Sequence, residues 1–170
     1  HTPDGHRMLS SDDYATYVPS EGEYYDETSF FEFDNVQKEK ASPVDPVFRI
    51  LRNFVEADEG HRIILILTAR KQIVEKSVRD FLQHYNLDHS GILFEGVGSS
   101  DPEEKVRVIK EYIDRYSANF VSFWDDSLKN VTAVKNYLDS AGIANDVAHV
   151  KKDKGRIRLI RRFFVDDSNI

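Results

Sequence analysis

Five consecutive aliphatic residues, Ile63-Ile64-Leu65-Ile66-Leu67, constrain this chain more than any other feature in it. A strand with one wet face alternates apolar and polar residues, so a run that is apolar at every position has to be covered on both faces, as in a parallel sheet. Such a sheet needs a crossover helix between each pair of strands. The flanking sequence supplies them.

Upstream, Asp45 suits a helix N-cap and Pro46 the first helical position, and Val47, Ile50, Leu51, Phe54 and Val55 recur with helical spacing up to Gly60. Downstream, Val74, Val78, Phe81, Leu82 and Tyr85 mark a second helix, and Ile92-Leu93-Phe94 a second short strand. The turn at Ser99-Ser100-Asp101-Pro102, with Glu104 three residues after Asp101, caps a third helix carrying Val106, Ile109, Ile113 and Tyr116. A strand over residues 120–124 runs directly into Asp125-Asp126-Ser127. A fourth helix through Val131, Val134 and Leu138 stops before Gly142, and residues 147–150 form a last strand. The order α-β-α-β-α-β-α-β predicts an α/β fold with a Rossmann-like parallel sheet, helices on both faces, and a ligand site at the carboxyl ends of the strands.

Around this core, residues 43–150, the composition changes. Residues 1–42 read as an acidic, irregular insertion: residues 1–34 hold nine Asp and Glu against Arg7 alone. Residues 151–170 hold seven Lys and Arg against three Asp, a basic segment that reads as a solvated tail able to touch phosphates, nucleic acid or an acidic partner. The net charge of −7 argues against broad nucleic-acid coating. The absence of cysteine excludes thiol nucleophiles, thiolate zinc sites and disulfide frameworks. No apolar run approaches the roughly 18 residues that a membrane span requires.

Three features fall at the carboxyl edge: Thr68 after the first strand, Lys105 early in the third helix, and the pair Asp125-Asp126 after the third strand. Each has an ordinary structural explanation as a turn residue, a surface cation or a cap. Adjacent carboxylates at a sheet mouth nevertheless repel, and a bound cation, with Mg²⁺ the natural candidate, is the usual way to keep both ionised. A lysine near a helix N-terminus opposes the macrodipole unless an anion lies nearby. A hydroxyl donor, an ammonium and a metal-binding carboxylate pair together suit a phosphoryl group.

The segments Ile-Leu-Ile-Leu-Thr68-Ala-Arg70, Lys105 ahead of a helix, and Phe-Trp-Asp125-Asp126-Ser127, in that order, resemble the second, third and fourth motifs of the haloacid dehalogenase superfamily of phosphohydrolases. The resemblance covers about residues 43–150. The Thr-Ala-Arg ending and Asp-Asp-Ser-x-x-Asn130 look closest to polynucleotide 3′-phosphatase-like members and small phage-encoded phosphatases. It implies that Thr68 hydrogen-bonds the transferred phosphoryl group, Lys105 balances its charge, Arg70 contacts substrate, and Asp125 and Asp126 help to hold Mg²⁺. The substrate would be a nucleotide, a nucleic-acid end or a small phosphoester, in a cytoplasmic or virion-associated protein.

The chain departs from that pattern at the first motif, an apolar strand ending in Asp-x-Asp whose first aspartate is the nucleophile. No Asp-x-Asp occurs in the sequence. Asp12-Asp13 has no strand before it, Phe31-Glu32-Phe33-Asp34 lacks the second acid, and Phe163-Phe164-Val165-Asp166-Asp167 has the wrong order and spacing. The expectation is therefore a central strand upstream of His1. A catalytically silent module of the same fold, for example a virion component, is the alternative. A receiver-like signalling domain is a third, disfavoured because no phosphate-accepting strand aspartate stands in mid-chain.

Overall fold

The computed structural model describes residues 18, 20–21, 43–57, 62–153 and 156–162. Residues 1–17, 19 and 22–42, nearly all of the acidic segment, and the candidate strand at residues 163–167 lie outside them. The described chain is mixed α/β. Its elements are α1 (Asp45–Ala57), β1 (Ile64–Thr68), a 3₁₀ turn (Gln72–Val74), α2 (Glu75–His84), β2 (Ile92–Gly96), α3 (Pro102–Tyr116), β3 (Phe120–Asp125), α4 (Leu128–Ser140), β4 (Ala144–Asp153) and β5 (Arg156–Ile160).

α3 and α4 start where the sequence places their caps, but α1 starts one residue early: Asp45, the expected N-cap, is already helical, and Val44 O accepts the Val47 and Phe48 N–H groups. The expected capping box of α3 does not close either, because the Asp101 N–H donates to Ser99 Oγ and Glu104 pairs with Arg107 instead. Asp101, extended at φ −67° and ψ 120°, accepts the Glu103 N–H at 3.0 Å, with Pro102 in the first helical position of α3. Ser127 caps α4 by accepting the Asn130 N–H at 3.4 Å. The α3 helix ends on Ser117 in the left-handed region, φ 51°.

The strands form two separate sheets. β1 and β2 pair in parallel, Ile64 opposite Ile92 through Thr68 opposite Gly96. β3 and β4 pair in parallel, Phe120 opposite Ala144 through Asp125 opposite His149, and β5 joins β4 antiparallel. Two apolar clusters cover the sheets. Leu51 of α1, Leu82 of α2, Leu87 and Ile92 are buried together, with Ile64 and Ile66 of β1 against them. Ile109 of α3, Val131, Val134 and Leu138 of α4 and Val147 of β4 form the second cluster, which takes Leu67, Val121 and Phe123. Ile64 and Ile66 on the one hand and Leu67 on the other belong to opposite faces of β1 by the two-residue period of a strand, so β1 carries helices on both sides as its unbroken apolar run requires.

Residues 151–153 and 156–160 of the segment expected to be a solvated tail instead continue the second sheet. β4 extends through Lys151 and Lys152 to Asp153, and β5 follows. Charge hid a strand signal: Arg156-Ile157-Arg158-Leu159 alternates with period two. Just past β5, Arg161 grips Asp146 of β4 with a two-pronged contact, Nε to Oδ1 at 2.6 Å and Nη2 to Oδ2 at 3.1 Å. This hydrogen bond holds the Asp146 carboxyl below its ordinary pKa, against the smaller opposing effect of burial. A depressed carboxylate pKa contributes stability above its unfolded value, about 3.9, and loses it as pH falls through the folded value. Arg161→Leu is therefore expected to flatten the loss of stability as the pH drops below about 5, as urea midpoints measured against pH would register. Parallel curves for the two proteins would refute it.

Candidate active site

Lys105 and Asp125 meet at the carboxyl edge of β3. The Lys105 ammonium donates to Asp125 Oδ2 at 2.6 Å, and both side chains are over nine-tenths buried, 7% and 8% exposed. Local structure brings them together across 20 residues. β2 ends at Gly96, a short loop leads into α3, and one turn later Lys105 faces the end of β3, so β2 and β3 finish at the same edge. The other carboxylate oxygen, Oδ1, accepts the Ser127 N–H at 2.7 Å and Asn130 Nδ2 at 3.0 Å. Asn130, itself buried, was visible in the sequence only as part of the Asp-Asp-Ser-x-x-Asn signature; its task is to orient Asp125.

Burying two charges costs several kcal/mol per ion unless the geometry is good and the remaining lone pairs are filled. Asp125 meets that condition with three donors. Lys105 does not saturate its side among the described residues: an ammonium has three N–H donors, and this one bonds only Asp125 there.

Thr68 stands at the end of β1. Its Oγ1 accepts the Arg70 N–H at 3.2 Å, which leaves the hydroxyl proton to be donated outward. Burial lowers the Arg70 guanidinium from its ordinary pKa. The loop holding both is stitched to the end of β2: Val97 N–H donates to Thr68 O, Gly98 N–H to Arg70 O, and Gly96 N–H to Gln72 Oε1 at 2.7 Å. Gly96 is required for that approach, because a Cβ there would lie 2.6 Å from Gln72 N and from Lys71 C. Gly96→Ala is expected to cost about 1–3 kcal/mol by forcing the Lys71–Gln72 backbone away. Urea unfolding would show it, and a loss below about 0.5 kcal/mol would mean that the loop yields freely.

No hydrogen bond joins Thr68 to the Lys105–Asp125 pair, and a gap separates them. β1 and β3 do not pair with each other. Between them and α3 lies a cavity of about 240 Å³ lined by Leu65 and Leu67 of β1, Ile109 and Ile113 of α3, and Val121 and Phe123 of β3, among others. Ile63, Tyr116 and Phe120, which also line it, remain exposed at 43%, 44% and 54%. Trp124, on the same wall, has a buried indole N–H with no hydrogen-bond partner. That indole also favours the Asp146 carboxylate, but from outside hydrogen-bond geometry. Among the described residues the edges of β1 and β3 that face this cavity pair with no strand.

Asp126 points the other way in function. It is exposed, its backbone carbonyl lies 3.0 Å from His149 Nε2, and its carboxylate has no bonded neighbour among the described residues. Among the described residues no group of three or more His, Asp or Glu side chains could hold a metal ion. With both Asp125 oxygens already bonded and only Asp126 free, these residues alone do not build a Mg²⁺ site. Nor is any described helix long and apolar enough to cross a membrane. Comparison with known proteins gives no matching family model, curated protein or solved structure.

Proposed function

We propose that the chain is the core of a haloacid dehalogenase-like phosphomonoester hydrolase, acting on a nucleotide, nucleic-acid end or small phosphoester. The observation that carries this reading is the buried Lys105–Asp125 pair at the strand edge, with ammonium donors left over for a phosphate oxygen. Thr68, anchored by the Arg70 N–H, would donate its hydroxyl proton to a second oxygen, and Arg70 would contact the rest of the substrate. Lys105 would offset charge on the transferred group while Ser127 and Asn130 keep Asp125, and through it the ammonium, in place.

The gap between β1 and β3 supports the same reading. An apolar strand seated there, ending in Asp-x-Asp, would pair with both free edges and set its carboxylates between Thr68 and Lys105. One of them would attack phosphorus as the bond to the leaving alcohol breaks, and water would then hydrolyse the aspartyl-phosphate. Mg²⁺ is the cofactor this chemistry calls for, and Asp125 and Asp126 would need those further acids to hold it.

The test is release of phosphate from a generic aryl phosphate by the protein as encoded, with Mg²⁺ and with a chelator. Chelator-sensitive turnover is expected, and its absence would sink the enzyme claim. One observation favours a second reading, a silent module of this fold used for structure or interaction. Both carboxylate oxygens of Asp125 are already bonded within the chain, Oδ2 by Lys105 and Oδ1 by Ser127 and Asn130, as in a purely structural ion pair.

A further inference from the structure

β4 outruns its partner β3. The register ends with Asp125 opposite His149, and β4 continues for four more residues, paired only with β5. A two-stranded ribbon therefore stands out beyond the edge that holds Lys105 and Asp125, by roughly 13 Å at the usual rise per residue.

Residues directly opposite each other in an antiparallel pair share a face, and the face repeats every second residue. The pairs Lys151 with Arg158 and Asp153 with Arg156 consequently lie on the face of His149, whose ring contacts the Asp126 carbonyl at 3.0 Å. Two cations stand directly opposite each other there, an arrangement that destabilises a ribbon in isolation. The single acid does little to relieve it: Asp153 Oδ2 lies 3.7 Å from Arg158 Nη1, while Lys151 and Arg156 make no ion pair among the described residues. All three cations are exposed. In a chain of net charge −7, three cations collected on one ribbon face that begins at the candidate site constitute a directed positive track.

We infer that this ribbon binds the phosphate backbone of a single-stranded nucleic acid and leads its phosphorylated end to the carboxyl edge. The inference rests on the reading of that edge as a phosphate site, and it selects a nucleic-acid end over a free nucleotide or small phosphoester. A linear polyanion suits the geometry because the cations are spaced along the strand direction and continue the line from Asp126 outward. A small phosphoester bound at Lys105 would not reach them. The acidic remainder of the molecule repels a broad polyanionic surface, which disfavours a membrane.

The experiment is fluorescence anisotropy of the full 170-residue chain with a labelled 12-nucleotide single-stranded DNA across a salt series. The ribbon variant is Lys151→Ser/Arg156→Ser/Arg158→Ser, and the control removes equal charge elsewhere, Arg49→Ser/Arg52→Ser/Lys110→Ser. The ribbon variant is expected to bind about 10–100-fold more weakly near 0.1 M salt, with the slope of log K against log salt shallower by about 2. The control should stay within about threefold of the unaltered protein. Circular dichroism of each variant confirms that the fold is retained, and the single Arg158→Ser change, expected to shift the slope by about 0.7, stands in should the triple variant unfold. Failure to bind, an equal loss in the control, or equal ribbon-dependent binding to vesicles containing phosphatidylserine would overturn the inference. Ribbon-dependent DNA binding supports it whether or not aryl phosphate is hydrolysed, so the two readings fail separately.

Discussion

Replacing Lys105 by methionine is expected to lower the stability of the fold by about 3–5 kcal/mol, because it leaves the Asp125 carboxylate buried without its counter-ion. The methionine fills nearly the same volume, so a packing defect contributes little. Adding Asp125→Asn to that variant should restore most of the loss. The amide oxygen can still accept from Ser127 N and Asn130 Nδ2, and no charge remains to be compensated. Urea unfolding of the single and double variants measures both effects. A Lys105→Met protein within about 1 kcal/mol of the parent would mean that water reaches the pair, which the exposures of 7% and 8% deny.

The second large effect falls on turnover and leaves the fold nearly intact. Thr68→Val keeps the β-branched shape that suits the end of β1 and removes the hydroxyl, so stability should fall by only about 1 kcal/mol for the lost Arg70 contact. Hydrolysis of an aryl phosphate should fall by about 10²–10³-fold, the usual consequence of deleting one donor aimed at transition-state charge. Thr68→Ser, which retains the donor, should recover most of the rate. Equal rates for valine and threonine would remove Thr68 from the phosphate site.

Most of the described fold was legible because it is local. The unbroken run at residues 63–67 announced a doubly covered strand, and Asp101-Pro102 and Ser127 announced the starts of α3 and α4. What the residues hid was long-range or masked by charge. β5 reads as tail in the sequence because its arginines dominate a count of charges, although Ile157 and Leu159 keep the strand period. The convergence of Lys105 and Asp125 followed from the expected edge, but their direct ion pair did not: pairing over 20 residues depends on how far α3 is displaced along β3. The expected separation of roles, Lys105 for phosphate and Asp125 for metal, becomes a shared contact. Asn130 shows in the sequence only through the Asp-Asp-Ser-x-x-Asn signature, and Gly96 not at all, because a backbone approach of 2.6 Å leaves no periodic trace. The cavity between β1 and β3 left no trace in the residues, because it depends on which strands pair.

The most direct test is amide NMR of the ¹⁵N-labelled full chain titrated with inorganic phosphate, with and without Mg²⁺. Docking of a phosphate group between Thr68 and Lys105 would move the signals of residues 68–71, 97–105 and 125–127 together, saturably, and Lys105→Met would abolish the response. Shifts that scatter over the surface, or that persist in the Lys105 variant, would show that this edge does not bind phosphate.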